Sequence, residues 1–193
     1  MMAPDPMEQS LRHNPDLATL FDGFAKIALP DCWIVAGAVA QTLWNAAHGF
    51  APGHGIRDID IIYHDASDIS DQAEAAQEAR LRALFPALSA RLDVKNQARV
   101  HLWYEMKFGR AIAQYRSSAE AIATFPATAT AIGVRPTPDG IALCAPFGTE
   151  DLDRLIIRPN RRIVSQDAYA DKAARWGAIW PRLTLIPWGT GDE

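Results

Sequence analysis

Cysteine is scarce in this sequence, positive charge is not in excess, and no apolar run is long. Only Cys32 and Cys144 are present. Two unpatterned cysteines exclude a disulfide-stapled scaffold and are expected as reduced core residues. Lys and Arg number 19 against 23 Asp and Glu, a formal net charge of −4. A general nucleic-acid binder, which neutralises phosphates with a basic surface, is therefore not expected. Residues 32–56 carry no Asp, Glu, Lys or Arg. Gln41, Thr42, Asn45, His48 and Pro52 nonetheless interrupt that stretch well before the ~20 apolar residues a spanning helix requires, so no membrane segment is expected. The start, MMAPDPMEQSLRHNPDL, has neither a basic head nor a continuous apolar core, so no secretory signal is expected and the cytoplasm is the simplest location. Internal repeats and low-complexity tracts are missing as well.

What is present is the composition of a folded body. Of the 193 residues 49% are apolar and 22% charged, near the average for globular proteins. Residues 1–14 are expected as a flexible arm and 15–193 as a single domain, with 126–193 either part of it or a small C-terminal lobe. Leu17, Leu20, Phe21, Phe24, Ile27 and Ala28 recur at helical spacing and predict a helix that Pro30 stops. Residues 33–35 (WIV) read as a buried strand. Gly37 permits a tight turn after it, and the small Ala38 and Ala40 let the next helix, to about His48, approach that strand closely. The breaker-rich loop at 49–55 is either a lid or a plain connection.

Residues 57–63 read as a second strand, with Ile59, Ile61 and Tyr63 on one face and Asp58, Asp60 and Ile62 on the other. A helix over 71–85, capped by Ser70, leads to a strand at 92–95, and Asn96 caps a further helix to Gly109. After a short helix at 118–125, strands at 128–135 and 141–145 form a hairpin through the turn PTPDG. Helices at 150–157 and from Ser165 to about Trp180 complete the chain, with Trp176, Trp180 and Trp188 packing the last helix onto the body. The class is α/β, an α+β mixed sheet with flanking helices and a C-terminal hairpin and helices.

Aspartates at i and i+2 on a strand project the same way and can share one hard cation, with substrate phosphates supplying further oxygens. An acidic face of an edge strand would look the same. Gly37, Ala38 and Val39 open a helix, so their amides form a ready anion site. If strand 92–95 lies beside strand 57–63, Asp93 reaches the same place, and three carboxylates then suit a two-ion phosphoryl-transfer centre. Otherwise Asp93 is a surface partner of Arg91 or Lys95.

The order apolar strand, Gly37-Ala38, helix, D-I-D at 58–60 and a later Asp93 resembles the nucleotidyltransferase fold shared with DNA polymerase beta and aminoglycoside nucleotidyltransferases. More closely, WIVAGAVAQTLWN, RDIDIIYHD, DVKNQARVHLWY, FPATATAIGVR and RPNRR are similar to a family of bacterial nucleotidyltransferase-like proteins of undefined substrate. The resemblance implies that Asp58 and Asp60 bind Mg²⁺ or Mn²⁺ with a nucleoside triphosphate. It implies also that Asp93 completes the metal site and helps deprotonate an acceptor hydroxyl, while Gly37 lets the triphosphate approach the backbone. Where the wider superfamily usually has Gly or Ser after that glycine, Ala38 offers no hydroxyl. The expected activity is transfer of a nucleoside monophosphate to an unidentified acceptor, a small molecule or protein rather than a nucleic acid. The alternative is a non-catalytic nucleotide-binding or protein-interaction module on the same fold.

Among the other polar residues, Lys95 shares a face with Asp93 and either neutralises phosphate or simply pairs with it. Gln41 and Asn45 share one helix face, where they reach a ribose or base or make buried hydrogen bonds. His64 and His101 read as structural. Arg158, Arg161 and Arg162 suit either phosphate binding or a solvated helix end, the latter being the commoner.

Overall fold

The computed structural model describes residues 5–189. Its centre is β1 (Trp33–Val35), three residues with no polar side chain and all buried, which only a strand paired on both edges can place there. On one edge it pairs antiparallel with β2 (Ile59–Tyr63), and on the other with β4 (Gly133–Thr137). β2 pairs in parallel with β3 (Leu92–Asn96), and β4 turns back into β5 (Gly140–Cys144), giving the order β3-β2-β1-β4-β5. The sheet is mixed, as the sequence predicts.

Parallel neighbours need a crossover, and α4 (Asp71–Leu84) provides it between β2 and β3, with Ser70 Oγ accepting from the Ala73 amide at 3.2 Å. The other long connection, α3 (Ala36–His48), follows β1 directly. Ile34, Ile59, Ile61, Tyr63, Leu92 and Val94 face the main core, while Trp33, Val35 and Ile62 belong to a smaller cluster with Ile122 and Ala131. Asp60 alternates with the first set and so lies on the face with the smaller cluster, where apolar cover is thin.

The last long helix, α8 (Gln166–Ile179), docks on α3 through tryptophans: Trp44 meets Trp176 and Trp180 edge-on at ring separations of 5.7 and 5.3 Å. Trp188 stacks instead near Tyr169, at 5.9 Å. Cys32 and Cys144 are both free thiols, and burial pushes Cys32 up to about 12.

Several elements differ from expectation. In place of a loose arm, Pro6–His13 forms α1, capped by Asp5 and anchored by a fully buried Leu11; residues 1–4 lie outside the described ones. α2 (Pro15–Gly23) follows, and Asn14 joins the two helices to α3 by accepting from the Asp16 amide and donating to Thr42 Oγ1 at 2.8 Å. One apolar anchor and a buried asparagine make too weak a periodic signal to be read as a packed helix.

The helix expected at 150–157 stops early: α7 covers Glu150–Asp153, Leu155 is left-handed (φ 58°), and Ile156–Ile157 becomes β6, paired in parallel with β7 (Thr184–Leu185). The strand expected from 128 begins only at Gly133, because Thr128–Thr130 is a single 3₁₀ turn. Two further helices complete the frame, α5 (His101–Phe108), ended by left-handed Gly109, and α6 (Ser118–Ile122).

The loop over 49–55 is tied down. Asn45 Nδ2 donates to the carbonyls of Pro52 and His54, both at 2.9 Å, and Asn45 Oδ1 accepts from Trp180 Nε1 at 2.7 Å. Gly55 has φ 71°, and a Cβ there would meet Ile179 and Trp180 at 2.9 Å, so the loop closes against α8 only with glycine. Among the described residues no helix is long and apolar enough to cross a membrane.

Candidate active site

The turn from β1 into α3 is strained at Ala36, not at Gly37. Ala36 sits at φ 55° and its amide donates to the Ile132 carbonyl at 2.9 Å; such backbone costs about 1–3 kcal/mol and is characteristic of functional sites. With the Ala36 amide spent and no side chain capping α3, the next amides, from Gly37 onward, begin a bare helix N-terminus. Gly37 keeps space there, since a Cβ would approach Gln41 Nε2 to 2.9 Å. Ala38 is packed into the core at 1% exposure, so what it can offer a ligand is its amide.

Asp60 and Asp93 are register partners on β2 and β3. Asp58 lies just before β2, which starts at Ile59, and is exposed. Burial first, then the negative charges of Asp93 and Asp58, push the Asp60 carboxyl up to about 6, against the pull of Lys172 and Lys95. Asp93 is held by Lys95 at 2.7 Å, and Lys95 also reaches Glu78 at 3.1 Å. Burial would lower the Lys95 pKa, but its bonds and charge attraction to Asp93 and Glu78 outweigh that and raise it. Among the described residues no three His, Cys, Asp or Glu side chains are placed to hold a metal ion by themselves.

Two cavities meet at this point. The smaller, about 140 Å³, is bordered by Gly37, Gln41, Arg57, Asp58, Lys172 and Arg175 among others; the larger, about 450 Å³, by Asp93, Lys95, Trp103, Tyr104, Phe108 and Phe125. Ala36, Asp60, Pro126 and Lys172 border both. Asp60 thus stands on the wall between a polar recess and an aromatic one.

Lys172 is absent from the sequence-based candidates. On α8 the buried stripe is Tyr169, Ala173 and Trp176, and the neighbouring stripe of Ala168, Lys172, Arg175 and Ile179 borders the cavities. Burial lowers the Lys172 pKa, helped by Arg175 and Lys107 and opposed by Asp60. A lysine and an arginine three residues apart beside a tryptophan stripe are the one hint the sequence carried, and nothing in it tied α8 to β2.

Other candidates are employed elsewhere. Asn45 is fully buried in the loop clamp, and His64 Nε2 meets the Tyr115 carbonyl at 2.8 Å. Arg158 pairs with Asp151 at 2.9 Å, Arg162 lies over Phe147, and Arg161 bonds the Trp188 carbonyl and lies over its ring.

Among proteins of curated function none matches the chain. Among the solved structures that match is one covering 94% of each chain, at 25% identity and a TM-score of 0.74: a protein whose NMR structure reveals a CCA-adding enzyme head domain. The family model for nucleotidyltransferases matches residues 22–185, a span that contains β1, the Ala36 turn, all three aspartates and Lys172. With that match over most of its length, the chain belongs to the nucleotidyltransferase family, and its chemistry is nucleotidyl transfer.

Proposed function

We propose that this protein transfers a nucleoside monophosphate from a nucleoside triphosphate to an acceptor hydroxyl, with Asp58, Asp60 and Asp93 as its acidic centre. The observation that carries this is Asp60, a half-buried carboxyl at the junction of two cavities, with a bare helix N-terminus on one side and a second aspartate on the other. Gly37 and the amides after it would take the triphosphate, with Ala38 contributing only its amide, Gln41 lying alongside, and Lys172 and Arg175 neutralising its charge.

The residues fit a divalent cation held jointly with substrate. Burial and, after it, repulsion from Asp93 and Asp58 raise Asp60, and a cation shared by these carboxylates offsets both; Mg²⁺ is commonly bound by one or two carboxylates plus phosphate oxygens rather than by a protein cage. Asp58 and Asp60 would hold Mg²⁺ or Mn²⁺, and Asp93 would join them on parting from Lys95. When bound, the ion neutralises developing charge on the phosphates.

Transfer then balances as follows. The acceptor oxygen forms a bond to the α-phosphorus, the α-phosphorus to bridging-oxygen bond breaks, and pyrophosphate leaves with that electron pair. The hydroxyl proton passes to Asp93. Little covalent chemistry falls to the protein, so positioning and charge neutralisation supply the rate.

A second reading, a nucleotide-binding module without turnover, is favoured by the Lys95–Asp93 contact and by Ala38 at the turn. The net charge of −4 weighs against a nucleic-acid acceptor. A cytoplasmic location agrees with a free thiol at Cys32. The test is thermal stabilisation by nucleoside triphosphates with and without Mg²⁺; an excess of ligand about 100-fold over Kd gives roughly 2.7 kcal/mol. Asp58→Asn and Asp60→Asn should each abolish it, and unchanged binding in both rejects the site. Pyrophosphate release separates the enzyme from the module.

A further inference from the structure

Resting on that reading, the two cavities divide the reaction between them. Gly37, Asp58 and Arg175 border only the smaller, and Asp93 and Lys95 only the larger. The triphosphate therefore belongs to the smaller, and the hydroxyl that Asp93 would deprotonate must enter through the larger. At about 140 Å³ the smaller recess falls below the roughly 300–1,000 Å³ of pockets that enclose a small molecule. Gly55, Arg57 and Ile179 border both it and an open groove lined by Phe50 and His54, on which a nucleoside can lie. The larger cavity is not required for the nucleotide.

That larger cavity, about 450 Å³, is shaped for an apolar body. α5 contributes Trp103, Tyr104 and Phe108; Phe125 and Val164 face it as well. Both tyrosines spend their hydroxyls on the protein: Tyr104 donates to the Ile163 carbonyl at 3.3 Å, and Tyr115 bonds Thr124 Oγ1 at 2.7 Å. What they present is ring. Its charged lining is Asp60, Asp93, Lys95, Lys172 and the exposed Arg110. A polynucleotide would require a charged, open groove instead.

We infer that the acceptor is a small alcohol with a cyclic, largely apolar body, which packs its rings against the α5 aromatics and presents its hydroxyl to Asp93. Its reaction is the transfer already written, and the product carries a phosphodiester joining that ring-bearing alcohol to the nucleoside.

The probe is anilinonaphthalene sulfonate, displaced by naphthol, by a hydroxysteroid and, as a polar control, by glucose. Ala168→Phe from α8 and Val164→Phe both fill the larger cavity without touching the smaller. The expected result is dye binding to the unsubstituted protein, displaced by the cyclic alcohols and not by glucose. In each filled variant it weakens roughly tenfold or more, a loss of about 1.4 kcal/mol, while triphosphate stabilisation with Mg²⁺ is retained, which also shows that the variants fold. Dye binding equal in all three proteins, or displacement by glucose as readily as by naphthol, overturns the inference. So does loss of triphosphate stabilisation in both filled variants, which would give the cavity to the nucleoside. Absence of triphosphate stabilisation in the unsubstituted protein is a different failure: it removes the proposed function itself.

Discussion

Asp60 on β2 and Asp93 on β3 are partners in a parallel register, so their carboxyls stand on one sheet face and repel across it. The first prediction concerns the cost of desolvating Asp60 and, second to that, of this repulsion. A carboxyl whose pKa rises on folding, here to about 6, favours the protonated form. The folded protein then binds more protons than the unfolded chain between the ordinary carboxylate value and about 6, and stability falls as pH rises through that window. Asp60→Asn should therefore be more stable than the natural protein at pH 8, by at most about 3 kcal/mol, with the difference vanishing near pH 4. Melting temperatures at the two pH values decide it. Activity is lost in the same variant, so stability and function oppose each other at one residue.

The second prediction follows from Lys172, the cation that opposes Asp60 from α8. Lys172→Met keeps the bulk and removes the charge. The Asp60 carboxyl should titrate above its natural value, which carbon-detected NMR reads directly. Affinity for a triphosphate should fall by roughly tenfold or more, the scale of one lost charge-assisted contact. Unaltered titration together with unaltered affinity places Lys172 outside the site.

Lys172 also marks the limit of what the sequence discloses. The alternation of Ile59, Ile61 and Tyr63 with Asp60 and Ile62 follows from the period of a strand, and the main core does receive the first set. The α4 crossover, its Ser70 cap and the mixed sheet were legible for similar local reasons. Lys172 was not, because the packing of α8 onto α3 through three tryptophans is a long-range event with no local signature. The left-handed residue of the turn is Ala36, one before the glycine that permits a tight turn, for the opposite reason. Local preference favours Gly37, but the Ile132 carbonyl on a distant segment holds the Ala36 amide and with it the conformation.

The left-handed Ala36 beside Gly37 yields a third prediction. Ala36→Gly removes a side chain from the left-handed region and should stabilise the protein by about 1 kcal/mol. Gly37→Ala should leave stability unchanged or raise it by up to about 1 kcal/mol, because alanine is the better helix residue and the end of the Gln41 side chain can swing away from the new methyl. Binding separates them. Gly37→Ala puts its methyl into the smaller cavity and weakens the triphosphate, whereas Ala36→Gly does not fill it. Denaturant melts combined with triphosphate titrations of both variants check the pair.

The fourth prediction concerns Asn45, a residue that touches neither cavity. Its side chain accepts from Trp180 Nε1 and donates to the Pro52 and His54 carbonyls, so one amide joins α3, the 49–55 loop and the end of α8. Asn45→Leu strands Trp180 Nε1 in the interior and takes a donor from the His54 carbonyl, while the Pro52 carbonyl keeps Asn14 Nδ2 at 3.3 Å; at about 1–3 kcal/mol for a stranded buried group, it should cost at least about 1 kcal/mol in denaturant melts. The damage should also travel. With the His54 carbonyl released, the loop loosens at Gly55, whose backbone borders the smaller cavity against Ile179 and Trp180. Amide exchange should accelerate over residues 50–56, and triphosphate affinity should weaken although every group that touches the triphosphate is intact. Faster exchange with undiminished affinity would show that the recess keeps its shape without the loop.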